Sequence, residues 1–137
     1  MTEYTAAALM ECHRKIAPFI HRTPVMRSRL LDGMTGAELY FKCENFQRAG
    51  SYKIRGATHA LLLKKDARDL KGIVTHSSGN FAQALSLAAK NLGVPAYIVM
   101  PETAPEVKKR GVREYGGQII ECAPTLEARE AEARRIQ

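Results

Sequence analysis

Tryptophan is absent from this sequence, and cysteine occurs only as Cys12, Cys43 and Cys122. Three cysteines at wide spacing, without a CxxC pair or a Cys/His cluster, leave no zinc pattern and no metal ligand set. They read as reduced, mostly buried thiols. No apolar run approaches the roughly 18 residues that span a bilayer, so no membrane partner is expected. The start is apolar around Ala6 to Met10, but it has no basic n-region and Glu11 follows at once. No signal peptide is read from this, and the expected compartment is the cytoplasm. GxGxxG and P-loop spacings are both missing, which removes the fingerprints of the two commonest nucleotide folds.

What is present is an ordinary globular composition, 45% hydrophobic and 26% charged over 137 residues. That length is normal for one domain with its own core. The formal charge is +7 and aromatics are 7%. A basic chain raises nucleic-acid binding as one reading. The basic residues are spread out, however, with only short clusters at Lys64-Lys65, Lys108-Lys109-Arg110 and Arg134-Arg135. The pattern fits a solvated surface and an anionic small ligand better than nucleic acid.

Hydrophobic periodicity predicts a helix over residues 5–17, ended by Pro18, and a short helix from Ser28 to Met34 ended near Gly36. Glu38 to Cys43 alternates and reads as a strand. Ser51 is the expected N-cap of a helix running to about Lys65. A different rhythm begins at Gly72. Strands are expected at Ile73–Thr75, Ala96–Met100 and Gln118–Cys122. They alternate with helices ending near Leu92, over Glu106–Tyr115 with Gly111 as a weak point, and over Thr125–Gln137. Short apolar strands alternating with helices specify βαβ units and a parallel sheet, hence an α/β fold. Such a sheet would take a further strand after the last helix, so the architecture reads as incomplete at the C-terminus.

Two segments carry chemistry. Ser51-Tyr52-Lys53-Ile54-Arg55-Gly56 puts a lysine in the first turn of a helix. The positive end of the helix and nearby Arg55 favour a neutral amine, the form that attacks a carbonyl. Taken alone the signal is weak, because a first-turn lysine is usually a solvated surface residue. Ser77-Ser78-Gly79-Asn80 lies between a strand and a helix, where backbone N–H groups bind anions. Gly79 allows a close approach there. The plain alternative is a turn with a cap.

These segments, with Lys42-Cys43-Glu44-Asn45-Phe46-Gln47, resemble the serine racemase and serine/threonine dehydratase branch of the fold type II pyridoxal-phosphate enzymes, a tryptophan synthase β-like architecture. The resemblance runs from about residue 20 to 135, with the motifs in the right order and on the expected elements. It fits the cysteine synthase branch less well, since that branch usually follows its lysine with Asp-Arg. It implies that Lys53 holds pyridoxal 5'-phosphate as an imine and is the base on one face of the substrate. Asn80 would bond the cofactor ring hydroxyl. Ser77, Ser78, Gly79 and Asn80 would grip the substrate carboxylate, and Ser78 would be the acid/base on the opposite face. Related threonine dehydratases typically have Ala at the Ser78 position, so Ser78 favours racemisation of serine, with β-elimination to pyruvate and ammonia as a second outcome. A serine/threonine dehydratase is the alternative, and a non-catalytic α/β fragment is the alternative of another class. Phe81 stands where the family usually has His. Gln83, Lys108 and Tyr115 match the nucleotide-effector site of animal-type serine racemases, whereas Arg29 and Ala49 do not. The family's Gly-rich phosphate loop, ring-nitrogen partner and Mg²⁺ ligands all lie beyond the matched motifs. The resemblance divides the chain into residues 1–71, the start of a large cofactor domain, and 72–137, most of a small mobile domain. It also implies a homodimer, and a chain of this length that is inactive alone.

Overall fold

The computed structural model describes residues 5–67 and 70–137. Helix α1 (Ala6–Ile16) is capped by the Thr5 hydroxyl, which accepts from Ala8 N–H, and passes into a 3-10 turn containing Pro18. Helix α2 (Arg29–Thr35) starts on Ser28 and stops at Gly36, whose φ of 70° terminates it in the left-handed region. Strands β1 (Val25–Met26) and β2 (Phe41–Lys42) pair antiparallel over two residues each. The strand expected over Glu38–Cys43 therefore shrinks to Phe41–Lys42. Its partner β1 is too short to carry a period of two in the sequence.

Helix α3 spans Lys53–Ala67. The expected cap is not made. The Ser51 hydroxyl is buried and bonds to nothing in the protein, and Tyr52 lies between it and the first helical residue. Its extended backbone (φ −163°, ψ 164°) belongs to the preceding turn.

The sheet is β3 (Ile73–His76), β4 (Ala96–Pro101) and β5 (Gln118–Cys122), in that order and all parallel. The connecting helices are α4 (Asn80–Leu92) and α5 (Glu106–Glu114), which pack against each other, while α6 (Leu126–Ile136) lies across β5, β4 and β3. The chain thus moves outward from β3 to β5 and returns along α6 toward β3. The core joins Ile54, Ala57 and Leu61 of α3, Ala82, Leu85 and Ala89 of α4, and Ile98 and Met100 of β4.

Gly111 does not break α5. A Cβ there would sit 2.9 Å from Gln83 Cδ, so this glycine lets α4 and α5 approach closely. The three cysteines are free and half-buried rather than mostly buried, and burial raises the Cys122 thiol pKa. Among the described residues no helix is long and apolar enough to cross a membrane, and no cluster of three or more metal-ligating side chains occurs.

Candidate active site

Two helix starts frame the site. Lys65, in the last turn of α3, donates to the Leu92 carbonyl at the end of α4 at 2.7 Å. Lys53 to Lys65 and Asn80 to Leu92 are equal stretches of helix, about 18 Å each at 1.5 Å per residue. The helices pack along their length, and the 3-10 turn Arg48–Gly50 just before Lys53 also contacts α4. The starts of α3 and α4 therefore lie at the same end, bringing Lys53 and the Ser77–Asn80 turn to one side of the molecule. That side is the carboxyl end of β3. Open α/β sheets bind ligands outside the carboxyl ends of their strands.

The turn presents the start of α4. Ser77 N–H donates back to the Val99 carbonyl at 3.1 Å, fixing where β3 ends. Gly79 is the N-cap of α4 and makes no side-chain cap bond, so the first N–H groups of a 13-residue helix face outward. Gly79 N–H meets the Ser77 hydroxyl at 3.5 Å, and a Cβ on Gly79 or on Gly56 would find no atom within 4 Å. Ser78 is half-buried; Phe81, exposed, supplies no polar atom beyond its backbone.

Lys53 is exposed, with its Nζ 5.0 Å from the centre of the Tyr52 ring. Arg55 is not a free charge beside it. Its guanidinium forks onto Glu44, with Nε–Oε2 and NH2–Oε1 distances of 2.8 Å. Glu44 also accepts from the Thr23 hydroxyl at 2.5 Å, and the Thr23 carbonyl accepts from Lys42 Nζ at 2.6 Å. The Arg55 fork, aided by Thr23 and opposed by burial, holds the Glu44 carboxyl down to about 2. Nothing local in the sequence announced this cluster, because its members are up to 32 positions apart.

The backbone leading to Lys53 is strained. Ala49, buried, has a φ of 58° and Gly50 follows at 69°. A non-glycine residue there costs on the order of 1 kcal/mol. Gln47, 4% exposed, offsets part of this. Its side chain bonds both backbone groups of His21, accepting at 2.7 Å and donating at 2.8 Å, and accepts from Arg48 N–H.

Asn80 is met from the other side by Lys108, whose Nζ donates to Asn80 Oδ1 at 2.9 Å. With its oxygen engaged by a cation, the Asn80 amide keeps its N–H donors for another partner. Gln83 lies against α5 at Gly111, and Tyr115 is partly buried against the core. Gln83, Lys108 and Tyr115 thus share the α4–α5 side of the turn. Two grooves, of about 780 and 390 Å³, lie elsewhere, between α6 and β3. Neither is lined by Lys53 or by the turn.

Comparison with known proteins identifies the family. Residues 16–137 match the family model described as pyridoxal-phosphate dependent enzyme. The β-hydroxyaspartate dehydratase of Paracoccus denitrificans (strain Pd 1222) is 50% identical over 129 residues, 94% of this chain and 41% of that protein. Human serine racemase is 50% identical over 133 residues, 95% of this chain and 39% of that protein. The structure of maize serine racemase superposes with a TM-score of 0.91 at 49% identity, over 96% of this chain and 40% of that one. The chain spans about two fifths of the length of the relatives it matches. On its motifs, its parallel sheet and this match, the chain belongs to the pyridoxal-phosphate dependent enzymes.

Proposed function

We propose that the protein carrying this chain racemises serine with pyridoxal phosphate, and converts part of the serine to pyruvate and ammonia, by loss of water from Cα–Cβ and return of one water in hydrolysis of the product. The observation that carries the reading is the placing of Lys53 and Ser78 at one end of the paired helices α3 and α4. Racemisation needs a proton donor and acceptor on each face of Cα, and Lys53 and Ser78 supply one each. The cofactor, when bound, withdraws electrons from Cα. Ser77, Ser78, Gly79 and Asn80 hold the substrate carboxylate through the N–H groups at the start of α4. The Asn80 amide donates to the cofactor ring hydroxyl. An exposed lysine amine, outward N–H groups and open space above Gly56 and Gly79 fit such a ligand.

In this reading residues 1–71 open the large domain, and 72–137 form most of a small domain hinged beside α3. The remaining site wall, the phosphate cradle and any Mg²⁺ ligands come from polypeptide beyond this chain. The protein is a cytoplasmic homodimer that takes a small amino acid, with Gln83, Lys108 and Tyr115 as effector contacts. The chain alone binds the cofactor weakly and turns over little serine. A serine/threonine dehydratase is the second reading; a β-hydroxyaspartate dehydratase matches this chain at the same 50% identity as human serine racemase.

Two measurements test this. Borohydride reduction and peptide mass spectrometry of the complete protein should tag Lys53; a tag on another lysine removes the assignment. Chiral chromatography alongside pyruvate release should show that Ser78→Ala lowers racemisation by about 10²–10⁴-fold while elimination survives. Equal loss of both activities would make Ser78 a carboxylate ligand only. Pyruvate without D-serine from the wild type would install the dehydratase reading.

A further inference from the structure

Lys53 sits in the first turn of a helix that has no side-chain cap from Ser51 and is entered through two consecutive left-handed residues. Helix starts of this kind fray unless something else holds them. At the entry to this turn Arg55 N–H donates to the Tyr52 carbonyl at 3.0 Å. The Arg55 side chain then reaches back across the loop to Glu44 with two bonds of 2.8 Å.

We propose that Glu44 and Arg55 are positioning residues that clamp the first turn of α3 and so aim the Lys53 amine. The inference rests on the assignment of Lys53 as the cofactor lysine. The pair closes residues 44–55 into a loop whose middle is pinned by Gln47 on His21. Glu44 and Arg55 side chains are 17% and 26% exposed, so water screens the fork little. Thr23, itself 4% exposed, adds a third bond to Glu44 and fixes the carboxylate plane. Bidentate geometry matters more than charge here, since a planar fork fixes direction as well as distance. Lys53 lies two residues before the anchored Arg55, and rotation of that turn moves its amine with it. A misplacement near 1 Å can lower a rate by about 10²-fold.

The test uses the complete protein as wild type, Glu44→Gln, Arg55→Lys and the double variant. In the cofactor-free forms, amides of residues 50–56 should exchange about tenfold faster in the variants. Capture of added pyridoxal phosphate, followed by its visible absorbance, should slow by about 10–100-fold, and kcat should fall in that range. KM for the amino acid should stay within about threefold, because neither residue touches substrate. The double variant should be no worse than either single one, since all three break the same link. Arg55→Lys keeps the charge and the fold while losing the fork, and it alone decides the matter where Glu44→Gln does not fold. If Arg55→Lys matches the wild type in exchange, capture and kcat, the clamp is overturned. Borohydride mapping of the wild type separates the two possible failures. A tag away from Lys53 overturns the site assignment, whereas a tag on Lys53 with wild-type behaviour of the variants overturns only the clamp.

Discussion

Ile98, Val99 and Met100 of β4 are fully buried, whereas Val25, Met26, Leu30, Met34, Tyr40 and Phe46 are each more than half exposed. The two regions are held by different forces. Residues 72–137 form a layered sheet whose central strand is covered on both faces, so apolar burial dominates. Residues 20–55 contain one seven-residue helix and a two-residue strand pair, and polar links tie them together: Glu44 with Arg55 and Thr23 and Gln47 with His21 over long range, and Arg27 with Asp32 locally. Burial of that kind tolerates acid and fails on loss of volume. The polar links behave the opposite way. Lys53, proposed as the cofactor lysine, is on the polar side of this division, and the Ser77–Asn80 turn, proposed to hold the substrate carboxylate, is on the apolar side.

The largest effect should come from the apolar side. Ile98→Ala removes a fully buried side chain between β3 and β5 and should cost about 4 kcal/mol in denaturant unfolding. A cost near that of a surface substitution would mean the sheet is looser than its packing implies.

Acid should act first on the polar side. The Glu44 carboxyl is held at about 2, below its ordinary 4.5. A lowered carboxylate stabilises the fold fully above its unfolded value and loses that contribution as pH falls toward its folded value. The pair should therefore contribute about 2 kcal/mol above pH 4.5, allowing for its partial exposure, and lose it between about pH 4.5 and 2. Hydrogen exchange should show residues 44–56 opening in that window before β4 does. Glu121 is also lowered, by Lys109, but it is half exposed and solvent screens it. Simultaneous opening of both regions would erase the contrast.

Thr125→Ala removes the bond from Ala128 N–H at the start of α6. It should cost about 1 kcal/mol, read as a shift in the unfolding midpoint. Smallest of all, Leu30→Ser should change stability by less than about 0.5 kcal/mol in this chain, since Leu30 is 74% exposed. In the complete protein the same change should cost more if residues 25–46 are covered there. Comparing the change in this chain and in the complete protein sharpens the division most directly.

The elements of residues 72–137 were legible because their signals are local: short apolar strands alternating with amphipathic or Ala-rich helices. The ends of β5 fell where the pattern placed them, and β3 and β4 each run one residue further. Among residues 20–55 the reading was weaker. Ser28 and Gly36 marked α2 correctly, yet β1 went unseen and Ser51 was assigned a cap it does not make. The Ser51 backbone is extended, as it is at the working caps Thr5, Ser28 and Thr125, but α3 starts two residues later at Lys53, which leaves Tyr52 in the cap position.

The order of residues alone determined the βαβ alternation, the lysine at a helix start and the serine-glycine turn after a strand, because each depends on neighbours within a few positions. Only tertiary structure decided that Lys53 and Asn80 share one end of the molecule. It also decided that Arg55 is spent on Glu44, that Gln47 stands in for a strand partner of His21, and that Lys108 engages Asn80. Those contacts join residues 11 to 28 positions apart, and a side chain's partner at that distance is chosen by how the helices and sheet pack, a matter on which local propensity is silent.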